Sequence, residues 1–495
     1  MKSGWLWIIL ATALAVRLAL LGAAWDKPTQ MMTDDSQGYV QLAKTLRDDG
    51  TFTRHTTISV VSAPMQICSS WDHKNPEIFR TPGYPVFLIP YVPSGMENDN
   101  GDYLSLKTAV VVQICLDVLL VFLTYHLGRV LVSHRVGLLA SALQAISPVV
   151  VASSCRILSD SLYALLLTLA IVLLVRHFRK GRGYDGSASR EPVVGGTDGQ
   201  YFVMDNSHNG QGRFEWWSLG LAAIVMVAAC YVRPVGLAMM ALVIFILVLS
   251  RMKFRRLAVF VGIVILGITP WIIRNSVVAD YRGFSSFATD SIYMYSVPKT
   301  LEYVERHKGS WTAHQFAEVN WYNPYWDSEV PNRQGREDIA VGIVKSYPIA
   351  FTIVHLKGDV AFWLPGAPDV LEVAGMTTGG KGTLEVLQTQ GLAAAVKNYF
   401  GDNTTALMLA LPMVAILMIK YLGVLVCLKR ARLHMRPEIW LMVLIVVASA
   451  LLPGPANHPR FRVPVEPILN IAAAVGFAML AGWLAARRKT KTKTA

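Results

Sequence analysis

Charge is what this chain has least of. Only 16% of its 495 residues are Asp, Glu, Lys or Arg, against about 25% in a typical soluble domain. That shortage, with 53% hydrophobic residues and a mean hydropathy of +0.40, argues against a soluble globular protein. Cysteine is also scarce. Its five copies show no metal-ligand spacing, which argues against a zinc module or a disulfide framework; a disulfide between two of Cys68, Cys155 and Cys230 is left open. There is no glycine-rich phosphate loop, and so no sign of a nucleotide site. No internal repeat of the kind that marks many transporters is visible.

Long apolar runs are what the chain has instead. Runs of about 20 residues are long enough to span a bilayer as helices. About ten can be placed, at roughly 5–24, 107–130, 136–153, 157–175, 216–232, 234–250, 257–274, 404–428, 438–453 and 464–485. The spacing therefore predicts an all-α polytopic membrane protein. The net charge of +13 gathers in short connections: Arg129 and Arg135, the Arg176–Arg182 cluster, Arg251 to Arg256, Lys429 to Arg432, and the tail from Arg487. Basic residues collect in cytoplasmic loops, so these clusters place both termini in the cytoplasm. Because they flank apolar spans, they argue against nucleic-acid binding. A cleaved signal peptide ending at Gly22-Ala23-Ala24 is disfavoured by Arg17 inside the first apolar run, a charge that calls for an acidic partner.

Three parts follow from this pattern. Residues 1–274 form a transmembrane module with a first outer loop, 25–106, and a cytoplasmic insertion, 177–215, rich in Gly, Ser, Asp and Asn. Residues 275–403 form an aromatic-rich outer region, and 404–495 carry the last spans and a basic tail. Asp35 or Ser36 is expected to cap a helix over 39–46, with Gly50 as its stop, and that helix is expected to lie on the outer membrane surface.

The outer edge collects Asp34, Asp35, Arg80, Arg156, Asp160, Arg233, Arg274, His458, Arg460 and Arg462. Arginines on that side run against the basic-inside rule and imply a local anionic partner. The guanidinium fork suits a phosphate or a carboxylate. Each residue has a plainer reading. Asp35 could only cap its helix, and Asp34 could be solvated. Asp160 could cap the fourth span or pair with Arg156. Arg233 and Arg274 could reach to headgroups, Arg460 and Arg462 could hold lipid phosphates, and His458 could be a structural hydrogen-bonding residue.

In order along the chain, Asp34-Asp35-Ser36-Gln37-Gly38-Tyr39, the Arg80-Thr81-Pro82-Gly83-Tyr84-Pro85 turn, Ser147-Pro148 with Leu158-Ser159-Asp160, Arg233-Pro234, Thr269-Pro270-Trp271 with Arg274-Asn275, and Arg460-Phe461 to Pro464 resemble the GT-C superfamily. The likeness is to the protein-mannosyltransferase-like group, glycosyltransferase family 39 or 83, related to the lipid A aminoarabinose transferases. It covers most of the chain. This sequence departs where Asp-Asp-Ser stands for the usual Asp-Glu, and where Asp160 stands for the usual Glu.

The resemblance implies a GT-C transmembrane helix bundle with outer juxtamembrane helices and a small extracytoplasmic domain. It implies a glycosyltransferase in a bacterial inner membrane, multi-pass, with its active site on the periplasmic side. The donor would be a sugar on a polyprenyl phosphate and the acceptor a hydroxyl of a glycan, lipid or protein. Asp35 would be the general base, with Asp34 and Asp160 as alternatives, and transfer would invert the anomeric centre. Arg80, Tyr84, Arg233, Arg274, His458, Arg460 and Arg462 would meet substrate or its phosphate. A divalent metal is left open. The competing readings are a polysaccharide polymerase or ligase, a transporter (flippase) of lipid-linked sugars, and a noncatalytic accessory protein.

Overall fold

The computed structural model describes residues 4–55, 74–92, 103–180, 216–308, 333–376, 383–430 and 436–494. Cys68 and residues 181–215 of the expected insertion lie outside the described residues, while 177–180 are the last residues of a helix, Asp160–Lys180.

The chain is a multi-pass helical membrane protein, with one ribbon of two three-residue strands, Thr53–His55 and Lys74–Pro76, paired antiparallel. Helices occupy every one of the expected apolar segments. These are α1 (Gly4–Ala24), then, after the shorter helices α2 (Asp34–Asp48) and α3 (Gly83–Leu88), α4 (Tyr103–Leu131), α5 (His134–Ala145), α6 (Pro148–Ser154), α7 (Asp160–Lys180), α8 (Trp216–Val232), α9 (Gly236–Leu249) and α10 (Phe254–Ala279). The helices Thr404–Arg430, Pro437–Leu451 and Glu466–Thr494 complete the set. Among the described residues, six helices are long and apolar enough to cross a membrane, or up to eight if each of two bent pairs counts as one span.

One bent pair is α5 and α6, which meet at 59°. The break is local in origin. Ser147 precedes Pro148 and is extended, at φ −65° and ψ 115°, because a residue before proline is pushed out of the helical region. Pro148 then starts α6 at its first position, where the missing N–H costs nothing. Helix α10 runs five residues past the expected end, and the C-cap Asp280 takes a left-handed conformation at φ 48°.

Charges inside the bundle are paired. Arg17 of α1 donates from Nε to Asp117 Oδ2 of α4 at 2.5 Å and from Nη1 to the carbonyls of Ala13 and Ala145; both side chains are fully buried. This is the acidic partner that Arg17 called for. At the other end of the chain, Arg462, Glu466 and Lys420 form a buried cluster. Lys420 Nζ donates to both Glu466 oxygens at 2.8 and 2.6 Å, and Arg462 Nε donates to Glu466 Oε1 at 2.6 Å. Helices Thr404–Arg430 and Glu466–Thr494 cross in direct backbone contact, because Gly476 sits where a Cβ would collide with the Gly423 carbonyl. Small residues at such crossings let membrane helices pack closely.

After α10, α11 (Phe287–Ser291), a π-helical turn (Ile292–Ser296) and α12 (Val297–Lys308) are followed by Arg333–Ser346 and Pro348–Trp363. These helices return to the bundle: the Phe362 and Leu364 carbonyls accept from Arg462 Nη1, and the Trp363 carbonyl accepts from Tyr421 Oη at 2.8 Å. Cys155 and Cys230 are each buried free thiols, so they do not form the disulfide that was left open between them. Cys155 Sγ donates instead to the Arg17 carbonyl at 3.5 Å.

Candidate active site

Five segments far apart in sequence build the site, three of which meet at Asp35. The first is the start of α2. Its N-cap is Thr33, whose Oγ1 accepts from Ser36 N while Ser36 Oγ accepts from Thr33 N at 2.9 Å. This reciprocal capping box puts the cap at Thr33 rather than at Asp35 or Ser36, and leaves Asp35 in the first helical turn, where the helix dipole favours a carboxylate. Gly50, at φ 65°, follows the last helical residues as expected. Ser36 Oγ also donates to the Ile157 carbonyl at 2.7 Å, Ile157 N donates to the Met31 carbonyl at 2.9 Å, and Tyr39 Oη lies 3.1 Å from Ser159 Oγ. These bonds fasten the start of α2 to the start of α7. That is how Asp35 and Asp160 come to share one site.

The second segment is the turn that carries Arg80. Buried Glu77 accepts from the N–H groups of Phe79 and Arg80 at 2.7 and 3.0 Å. Gly83 passes directly against α8, where a Cβ would stand 2.6 Å from the Tyr231 carbonyl oxygen. The Arg80 guanidinium lies against Gly38, stacks over the Tyr39 ring at 5.1 Å, and donates to Asp35 Oδ1 at 3.0 Å.

The third is the 3₁₀ turn Pro459–Val465, opened by His458, whose Nδ1 accepts from Arg460 N at 3.2 Å. Arg460 donates to Asp35 Oδ2. Its guanidinium is 5.4 Å from the Phe461 ring centre, and Arg233 is 5.4 Å from the same ring. Arg233 in turn pairs with buried Asp160. Asp35, Asp160, Arg80, Arg233 and Arg460 therefore form one constellation. Three guanidinium groups face two carboxylates, which leaves a positive excess suited to an anion.

Electrostatics follows from this geometry. Burial acts to raise the Asp35 carboxyl, but Arg460 and Arg80 more than offset it and hold the group down at about 2. Asp35 is thus ionised at neutral pH. The His458 imidazole is held below its usual value, first by loss of surrounding water and then by the charges of Arg460 and Arg156, against the pull of Asp369 and Asp160.

The other expected residues lie around this constellation. Asp34 is exposed beside Asp35. Tyr84 is buried below the turn and donates to Gln113 Oε1 at 2.9 Å; Gln113 Nε2 in turn bonds the carbonyls of Ser153, Ser154 and Arg156. Arg274 clamps the loop that leads to Arg80, donating to the carbonyls of Glu77 and Phe52 at 2.8 and 2.7 Å. Arg462 belongs to the buried cluster with Glu466 and Lys420. Arg156 is held by Asp369 and Glu372 rather than by Asp160.

Sequence reasoning passed over Glu77, Glu466 and Lys420. Two of these carried a signal: Lys420 is a lone charge inside an apolar run, and Glu466 stands four residues after Arg462. Among the described residues no three His, Cys, Asp or Glu side chains converge as metal ligands, and both oxygens of Asp35 are already engaged by guanidinium groups. Among the described residues the side chains around Asp35 do not fit a metal.

No protein-family model matches the sequence, and no curated protein matches it closely. Solved structures do. The archaeal oligosaccharyltransferase AglB from Archaeoglobus fulgidus, in complex with an inhibitory peptide and a dolichol-phosphate, aligns over 99% of this chain at 13% identity and a TM-score of 0.50. The chain spans about half of that protein, 52% of its length. ArnT from Cupriavidus metallidurans, bound to undecaprenyl phosphate, aligns over 97% of this chain and 78% of its own at 16% identity and a TM-score of 0.39. The chain shares its helical fold with the AglB structure.

Proposed function

We propose that this protein transfers a sugar from a polyprenyl-phosphate carrier to an acceptor hydroxyl at the outer face of the membrane. The observation that carries this reading is Asp35, a carboxylate bridged by Arg80 and Arg460 beside the Arg233–Asp160 pair at the ends of spanning helices. A lipid carrier's phosphate lies at that depth. The AglB structure, which has the same fold, is a complex with a dolichol-phosphate.

The acceptor oxygen attacks the anomeric carbon as the bond to the carrier phosphate breaks. Asp35 takes the acceptor's proton, and the carrier leaves as polyprenyl phosphate with its negative charge met by the arginines. A single displacement of this kind inverts the anomeric centre. A carboxylate held at about 2 is a weak base at rest. A donor phosphate competes for Arg80 and Arg460, and as they turn to it Asp35 loses the charges that depress it while its burial remains. Donor binding thereby makes Asp35 a better base.

The test is sugar transfer by purified protein from a panel of synthetic polyprenyl-phosphate sugars, with wild type beside Asp35→Asn. Loss of a general base costs about 10²–10⁴ in rate, with carrier affinity retained. Equal transfer by both proteins removes Asp35 from the role and moves it to Asp34 or Asp160. Wild type that transfers nothing yet moves carrier across a vesicle overturns the enzyme reading in favour of transport.

A further inference from the structure

A segment that no motif marked packs beside this site and carries a half-exposed tyrosine. Between α11 and α12 the chain makes a π-helical turn, Ile292–Ser296. Such turns are rare and recur at functional sites. Within it Tyr293 points inward and packs with Val297, Leu301 and Ala340, while Tyr295 is 48% exposed. The π-turn packs against the Gly454–Ala456 turn, which leads directly into His458 and Arg460, and the charges of Asp35, Arg460 and Arg80 act on the Tyr295 phenol.

Its placement is built in. Ser286 N donates to the Ile78 carbonyl at 3.0 Å and Ser285 Oγ to the Phe79 carbonyl at 2.6 Å. Phe287 packs on Phe79 with ring centres 5.0 Å apart. The segment leading into the π-turn is therefore fastened to the same turn that carries Arg80. Asp290 holds the next residues by bonding Ser286 Oγ at 2.6 Å and Arg336 Nε at 3.0 Å.

We propose that Tyr295 binds the transferred sugar of the lipid-linked donor, its ring packing on the sugar face and its hydroxyl donating to a sugar oxygen. This rests on the reading above. The division of labour follows from chemistry. The guanidinium groups are suited to the phosphate. A half-exposed neutral phenol is suited to an uncharged polyol attached to that phosphate. An aromatic ring supplies rigid contact area at low entropic cost. Partial burial raises the phenol above its ordinary value, and the Asp35 charge adds to the rise, so the group remains a hydrogen-bond donor at neutral pH.

The test compares two probes on the full-length protein in detergent: bare undecaprenyl phosphate, and undecaprenyl phosphate carrying each of a panel of pentoses and hexoses. Wild type is expected to bind at least one sugar-loaded carrier more tightly than the bare carrier. Tyr295→Ala is expected to lose that increment, about five- to tenfold for a hydrogen bond and its packing, and to bind the bare carrier as wild type does. Tyr295→Phe is expected to keep part of it. Equal loss with both probes, or no loss with either, overturns the role of Tyr295, as does a wild type that gains nothing from any sugar. A wild type that binds neither probe defeats the lipid-phosphate reading itself, which is a separate result.

Discussion

Arg460 and Asp35 are separated by 425 positions in the sequence and share a charge-assisted hydrogen bond in the structure. Arg80 takes the other carboxylate oxygen, so the resting site neutralises its own carboxylate. An incoming anion does not enter an empty positive pocket but competes for guanidinium groups already in use.

That pairing has a pH signature. The Asp35 carboxyl lies at about 2 when folded against an ordinary 3.8. A carboxyl lowered by folding stabilises the fold above its unfolded value, and the contribution fades as pH falls through the folded one. The difference in thermal unfolding between wild type and Asp35→Asn is therefore expected to be constant from about pH 7 to 5 and to shrink below about pH 4. Unfolding in detergent across this range checks it; a difference that grows on acidification would contradict the ion pairs.

Gly38→Ala is a small change with a directed effect. The new Cβ would stand 2.5 Å from Arg80 Nη1 and 2.8 Å from its Cζ, so the guanidinium must swing off Asp35. Alanine is also the better helix former, by about 1 kcal/mol. Carrier affinity and transfer are expected to fall while the melting temperature holds or rises. Parallel binding and melting measurements separate this from a general loss of fold.

Glu466→Ala removes the shared partner of two buried cations, Lys420 and Arg462. Breaking a buried pair by deleting one member costs about 3–5 kcal/mol. A large drop in melting temperature is expected, with poor recovery from membranes. Removing Lys420 and Glu466 together, as Lys420→Met with Glu466→Gln, is expected to cost less than Glu466→Ala alone.

Chelation is expected to leave transfer unchanged, because Asp35 spends both oxygens on arginines and no ligand set assembles among the described residues. Activity with and without EDTA checks it. Loss that returns on adding a divalent cation would mean that substrate brings a metal into the site.

The apolar runs were legible because length and hydropathy alone set what can cross a bilayer, and every expected run is a helix. The break at Ser147-Pro148 was equally local. Site residues were legible as charges on the wrong side of a basic-inside pattern, which marked Arg80, Arg233 and Arg460 and equally marked Arg274 and Arg462. Nothing in one dimension separates a guanidinium that faces a carboxylate in the site from one that clamps backbone carbonyls, as Arg274 does, because the difference is only in what lies within 3 Å. Tyr295 was invisible for another reason: it sits in an aromatic-rich stretch with no periodicity, and its meaning comes from a π-turn anchored to residues 78 and 79.

The sequence by itself determined that the protein is a multi-span helical bundle with acidic and basic residues at the ends of its spans, since hydropathy and charge act residue by residue on membrane partitioning. Only the tertiary structure decided which of those charges meet. The capping box at Thr33 and the bond from Ser36 to Ile157 bring the starts of α2 and α7 together, and the 3₁₀ turn after His458 delivers Arg460 to Asp35. Such contacts depend on close packing between segments hundreds of residues apart, a constraint that no local pattern records.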